Sequence, residues 1–291
     1  MKKKNDEFLK IFQNKGKYYF KQLYFVNKRK FQKGTGSYLF DGKKYIYDKS
    51  MYEKQKLLFK LSKQNKKVLE IGNYMGHSIL IMLLANPKIQ ITAIDINDKY
   101  AKPSLDYLQE QFPFSKINFI HGDSLKVLSN LEGEFDLYHV DGTHTHSRIS
   151  QEFLMLLNLK KKKIKILFDD VFSMLHLKKN ILKNFKIIKS FTPDSAYNNF
   201  YVELKINDKT FKQSLKNFKI ENCKIFFKYQ LIELLTKITI YNKINLIIWK
   251  FFLKNFKIFR KLNNKIKKRL LFPEQNKFTN LEKNEISPIT S

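Results

Sequence analysis

Three stretches hold the residue types that could do chemistry. HVDGTHTHSR, residues 139–148, sets Asp141 among His139, His144 and His146, so that half of the chain's 6 histidines fall close together. Further on, IKILFDDV ends an apolar run on Asp169 and Asp170. Carboxylates hold protons or hard cations and imidazole titrates near neutrality, so these stretches could serve proton transfer or metal-assisted chemistry. The third stretch, LEIGNYMGHS, puts Gly72 and Gly76 between an apolar run and a helical pattern. Glycines there let the backbone approach a ligand closely, and the start of the following helix offers N–H groups to an anion.

Hydrophobic patterning predicts the elements that position these residues. SMYE, Ser50 to Glu53, has the form of a capping box ahead of a helix over about 51 to 62. KKVLEIG then reads as a strand and HSILIMLLA as a helix, followed by a strand at IQITAID, a helix over about 101 to 112 and a strand at INFIHGD. SLKVLSNLEG reads as a helix with Gly133 as its stop, and FDLYHVD and IKILFDD as strands separated by a helix over about 147 to 159. Strands alternating with helices at this spacing predict a parallel sheet with helices on both faces. FKIIKSF and FYVELKI, joined through the turn-rich TPDSAYNN, predict an antiparallel pair at one sheet edge. The division expected is an N-terminal segment over 1–49 that could act as a lid, a core domain over 50–207, and a basic helical extension with a polar tail over 208–291.

The glycine turn is spaced E-x-G-x-x-x-G. A dinucleotide turn, G-x-G-x-x-G, needs its middle glycine where Tyr74 stands, so NAD binding is disfavoured. With Asp95 ending the next strand, the set suits a ligand carrying a ribose and a carboxylate but no diphosphate. At these residues the chain resembles the class I S-adenosylmethionine (SAM)-dependent methyltransferases over roughly residues 50–205. The resemblance implies an α/β fold, a Rossmann-like doubly wound sheet, mostly parallel, of strand order 3-2-1-4-5-7-6 with an antiparallel edge strand, followed here by the helical C-terminal extension. It also implies that Glu70, Gly72, Gly76 and Ser78 line the methionine part of SAM, that Asp95 holds the ribose hydroxyls, and that Asp123 with Ser124 in HGDS faces the adenine. The plainer alternative is a glycine turn in some other doubly wound protein, with Asp95 and Asp123 as helix caps.

In that strand order the strands ending on Asp141 and Asp169 are neighbours, about 4.8 Å apart, and with Asp170 three carboxylates converge beside Gly72. Unneutralised they repel one another, and Mg²⁺, which takes carboxylate oxygens, is the expected remedy. VLEIGNYMGHS, VDGTH and LFDDV narrow the resemblance to the metal-dependent O-methyltransferases of the catechol and caffeoyl-CoA type and the related methyltransferase family 24. By that resemblance Asp141, Asp169 and Asp170 are the metal ligands. His144, at the lysine of that family's D-x-x-K pattern, is the base that takes the acceptor's proton, and Asp170 stands where the family has asparagine. Sugar-modifying relatives share the Asp-Asp pair and the histidine, which favours an aliphatic hydroxyl on a small molecule or glycan over a phenol. His139 alternates with Asp141 and is expected in or beside the sheet, whereas His146 is either a surface residue at a helix start or an outer group of the metal site. The alternative for the whole cluster is a strand-to-helix turn rich in capping residues.

The net charge of +30 comes almost entirely from lysine, in a mixture with Asn, Ile and Phe that resembles AT-rich coding bias. Arginine, which makes bidentate phosphate and guanine contacts, is scarce, so nucleic acid is a disfavoured partner. Cys223 is the single cysteine, which excludes an intrachain disulfide and favours a reducing, cytoplasmic location. The start of the sequence lacks an apolar signal core, and no run reaches the ~18 apolar residues of a membrane span. Residues 246–271 place Trp249, Phe252, Phe256, Phe259, Leu262 and Ile266 near helical spacing among lysines and arginines. Such a segment either lies on an anionic membrane surface, making the protein peripheral on the inner membrane face, or packs on the core or a homodimer partner. Two rival functions follow from it: an RNA or protein methyltransferase recruited through the basic tail, and a non-catalytic membrane-associated binding protein on the same fold. The absence of N-P-P-[YF] and of a second cysteine weighs against the RNA reading.

Overall fold

Val68–Ile71 are buried without alternation, the pattern of a strand covered on both faces. They belong to a computed structural model that describes residues 6–27, 49–143, 145–159, 162–193, 199–206 and 210–241. Its strands are β1 (Lys67–Ile71), β2 (Gln90–Asp95), β3 (Lys116–His121), β4 (Leu137–Val140), β5 (Lys163–Phe168), β6 (Ile187–Phe191) and β7 (Phe200–Lys205). They form one sheet in the order β3-β2-β1-β4-β5-β7-β6. Pairing is parallel from β3 through β5, and β7 runs antiparallel to both β5 and β6. The expected fold class and strand order are borne out. Burial follows position: β4 is buried throughout and β1 is buried beyond Lys67, while the outer strands β3 and β6 carry more exposed residues.

The helices are α1 (Glu7–Ile11), continued by a π-helical turn over Phe12–Gly16 into α2 (Lys17–Val26), then α3 (Lys49–Lys63), α4 (His77–Ala85), α5 (Asp98–Gln111), α6 (Ser124–Asn130), α7 (His146–Asn158), α8 (Leu175–Asn184) and α9 (Phe211–Tyr241). Alternate strand residues point to opposite faces, which splits the core in two. Val68, Ile91 and Leu137 meet Phe8, Phe12, Phe20 and the apolar body of α4 on one face. Leu69, Tyr138 and Phe168 meet Phe153, Ile181 and Phe218 on the other.

Several boundaries differ from expectation for local reasons. Helix α3 begins at Lys49, so Ser50 has helical backbone and is not the N-cap that a capping box requires. Helix α5 starts at Asp98 because the Asn97 side chain accepts from Lys99 N at 3.1 Å and caps it. Helix α6 ends at Asn130, ahead of Gly133, whose φ of +110° belongs to the following turn. Within Asp6–Asn27, Phe8, Phe12, Phe20 and Leu23 are buried, and Lys56 pairs with Asp6 at 2.5 Å. The chain divides into two compact units, 1–222 and 223–291. The first reaches past residue 207 into α9 because Phe218 is buried in its core and Asn180 Nδ2 donates to Phe218 O at 3.1 Å. In the second, residues 223–241 continue α9, and the aromatic, basic stretch 246–271 lies outside the described residues. Among the described residues no helix is long and apolar enough to cross a membrane.

Candidate functional site

Parallel pairing carries the C-terminal ends of β1, β2, β4 and β5 to one rim. Gly72 N donates to Ile94 O at 2.9 Å, Asp141 N to Ile71 O at 2.8 Å and Asp169 N to Val140 O at 2.9 Å. Gly72, Asp95, Asp141 and Asp169 therefore stand side by side where doubly wound sheets bind ligands. Gly72 has φ +84°, and a Cβ there would lie 2.3 Å from Asp141 O, so only glycine lets β1 and β4 approach this closely. Gly76, at φ +76°, is the N-cap of α4 and supplies no side-chain cap to the helix's first turn, where Ser78 sits half-buried.

Within the turn, the Asp95 carboxylate organises the backbone. Oδ2 accepts from Asn73 N and Tyr74 N, both at 2.8 Å, and Oδ1 accepts from Asn97 N at 2.8 Å. Glu70 is fully buried with Oε1 2.8 Å from His139 Nδ1, which places His139 inside the sheet as expected. Glu70 Oε2 and both amide atoms of buried Asn73 have no hydrogen-bond partner among the described residues. An unsatisfied buried polar atom costs about 1–3 kcal/mol, so these three leave unused hydrogen-bonding capacity inside the turn. Asn73 was not singled out from the sequence, where it is one of the variable letters of E-x-G-x-x-x-G.

Asp123 and Ser124 enter a different network. Asp123 caps α6, its Oδ1 accepting from Leu125 N at 3.0 Å and Lys126 N at 3.2 Å, while Arg148 Nη2 lies 2.8 Å from Oδ2. Burial pushes the Asp123 carboxyl up, but its bond to Arg148 and the backbone donors outweigh this and hold it below the usual range. Ser124 Oγ accepts from Arg148 at 2.7 Å and donates to buried Glu152 Oε1 at 2.5 Å. Burial raises the Glu152 carboxyl despite these contacts. The capping alternative thus describes Asp123, with an added tie between α6 and α7.

The three carboxylates converge at the adjoining ends of β4 and β5, and the cation among them is a lysine. Lys54, reaching in from α3, pairs with Asp169 Oδ2 and lies 3.6 Å from Asp170 Oδ1. Burial raises the Asp141 carboxyl, and the negative Asp169 beside it raises it further, well above the carboxylate range. Burial would raise Asp169 too, but the Lys54 ammonium outweighs it and holds Asp169 at about 2. Burial would lower Lys54, and the attraction of Asp169, Asp170 and Asp141 reverses this and raises it. Asp170 has φ +47°, a left-handed conformation that Asp and Asn tolerate better than most residues, which accounts for an acid or amide at this position.

A divalent cation needs these oxygens turned on one point. Instead Asp169 Oδ2 and Asp170 Oδ1 face the Lys54 ammonium, and among the described residues no three acidic, histidine or cysteine side chains form a group able to hold a metal. The residues present do not fit Mg²⁺. The repulsion among these carboxylates is met by Lys54. His144 lies outside the described residues. His146 is half-buried at the start of α7, edge-on to His176 with ring centroids 6.4 Å apart, and burial lowers its pKa despite a hydrogen bond to Asn222.

Residues 48–190 match the sequence profile of a family described as O-methyltransferase. Over this segment the chain is similar to the O-methyltransferase family. A candidate caffeoyl-CoA O-methyltransferase of Arabidopsis thaliana is 40% identical over 80 residues, covering 26% of this chain and 34% of that protein. A caffeoyl-CoA O-methyltransferase of Populus kitakamiensis is 32% identical over 98 residues, covering 32% of this chain and 42% of that protein. The chain thus spans less than half the length of these curated relatives. Among solved structures, the SAH-bound Podospora anserina methyltransferase PaMTH1 superposes with a TM-score of 0.51 at 15% identity, over 69% of this chain and 93% of that one. Cofactor-bound Rv0187 from MTB gives 0.51 at 15% identity, over 66% and 91%. These likenesses bear out the methyltransferase fold and the resemblance to O-methyltransferases of the caffeoyl-CoA type expected from the sequence.

Proposed function

We propose that the rim crevice binds SAM and that the O-methyltransferase domain moves its methyl group to a hydroxyl of a small molecule or sugar. The observation that carries this reading is the trio of unpartnered buried atoms on Glu70 and Asn73 in the glycine turn. Acceptor groups there suit the amino group of a bound amino acid, and the first turn of α4, without a side-chain cap, suits its carboxylate. Glu70, Asn73, Gly72, Gly76 and Ser78 would hold the methionine part, and Asp95 the ribose hydroxyls. Asp123 and Ser124, tied here to Arg148, would face the adenine.

SAM supplies a methyl already activated on a sulfonium, so the chain's own task is alignment and proton removal. Glu70 is fixed by His139 and cannot swing away from a cationic ligand. Asp169 and Lys54 give the acceptor end of the crevice fixed charges of both signs, and His144 is the base proposed from its place in VDGTH, taking the acceptor's hydroxyl proton. Calorimetric titration of SAM into the full chain tests the reading: micromolar binding, followed by label transfer from methyl-tritiated SAM to a panel of hydroxyl acceptors, is the result expected. Absence of SAM binding would overturn it.

A further inference from the structure

Lys54 stands where a divalent cation was expected, and it is separated from Asp169 by 115 positions in the sequence. Its side chain is 10% exposed, Asp169 4% and Asp170 15%, so the ammonium is packed among the carboxylates rather than resting on a surface. A charge withdrawn from water persists only where partners replace its hydration. Lys54 satisfies that condition through the two acids at the end of β5. A metal ion entering the same place would lie against the Lys54 ammonium and compete with it for Asp169 Oδ2 and Asp170 Oδ1. A protonated lysine also has no lone pair to offer a metal, so it excludes the ion instead of joining its coordination sphere.

We infer that Lys54 is a built-in replacement for the metal ion, so that this crevice does not bind Mg²⁺ or Mn²⁺ and transfer in it proceeds without added metal. The ammonium is a positioning residue: it keeps Asp169 and Asp170 together at the strand end and supplies a permanent positive charge there. The clause about transfer rests on the proposed function; the exclusion of metal does not.

The test is Mn²⁺ binding by electron paramagnetic resonance on the full wild-type chain, with SAM calorimetry on the same sample. The expected result is that Mn²⁺ stays free up to millimolar concentration and that EDTA leaves SAM affinity unchanged. One Mn²⁺ bound stoichiometrically at micromolar affinity by the wild type overturns the inference, and this arm needs no variant to fold. In Lys54→Met, which retains the stem's bulk, and in Lys54→Gln, removal of the ammonium leaves the three acids uncompensated, and Mn²⁺ affinity should rise roughly tenfold or more. A folded variant of either kind with no gain in Mn²⁺ affinity also counts against the inference. Failure of the wild type to bind SAM counts only against the function proposed above.

Discussion

Glu70 and His139 are register partners on the adjacent parallel strands β1 and β4, with the imidazole Nδ1 2.8 Å from the carboxylate Oε1. Both are buried at the middle of the sheet, and the pairing fixes an acid whose second oxygen has no partner among the described residues.

Replacing His139 alone by Leu strands that carboxylate. Breaking a buried pair from one side costs about 3–5 kcal/mol, so the urea midpoint of His139→Leu should fall steeply. Adding Glu70→Gln should recover much of the loss without restoring SAM affinity. Equal midpoints for wild type and His139→Leu would show that the pair has no energetic role.

Asn73→Ala separates binding from folding. Its amide has no partner among the described residues, so its removal should leave the melting temperature unchanged or slightly higher. SAM affinity should weaken roughly tenfold, about 1.4 kcal/mol. Calorimetry beside a thermal melt reads both quantities.

Asp141→Asn should stabilise the fold at high pH. An acid whose folded pKa lies above its unfolded value of about 3.9 favours folding while protonated, and the contribution is lost as pH rises through the raised folded pKa. Asn keeps a hydrogen-bond donor and cannot ionise, so the variant should match wild type below the unfolded value of about 3.9 and gain over it progressively as pH rises above that value. A difference of about 1 kcal/mol corresponds to roughly 2–4 °C in Tm. Methyl transfer is expected to fall in the same variant.

Asp169 has the opposite sign. Its folded pKa of about 2 lies below the unfolded value, so its contribution is present above the unfolded pKa and fades as pH falls toward the folded one. In Lys54→Met the depressing charge is gone. The melting-temperature gap between wild type and Lys54→Met should therefore narrow on acidification from about pH 5 to about pH 3, and a constant gap would contradict the pairing.

The fold was legible because the sheet writes its own order into burial: VLEI and LYHV are buried on both faces, and the edge strands alternate or carry lysines. The glycine turn and the acids at the ends of β4 and β5 were legible for a related reason, since strand ends in a parallel sheet share one rim. Lys54 was not, because nothing local distinguishes one lysine of an amphipathic helix from the many others in this chain, and its partners come from distant sequence. Arg148 carried a usable signal. It is one of only four arginines, with Arg29, Arg260 and Arg269, and it bridges Asp123 and Glu152 where lysine lacks the fork to do so. Asn73 needed the tertiary structure, since its meaning lies in being buried without a partner.

The enclosure of Lys54 also makes it a reporter. Acylating reagents consume neutral amines at rates set by access to solvent, and most of the described lysines are exposed, whereas Lys54 is packed beneath its own helix against the strand ends. Under limiting reagent it should be among the last amines modified, and the rate at which mass spectrometry finds it acylated is a clock for how often the crevice opens.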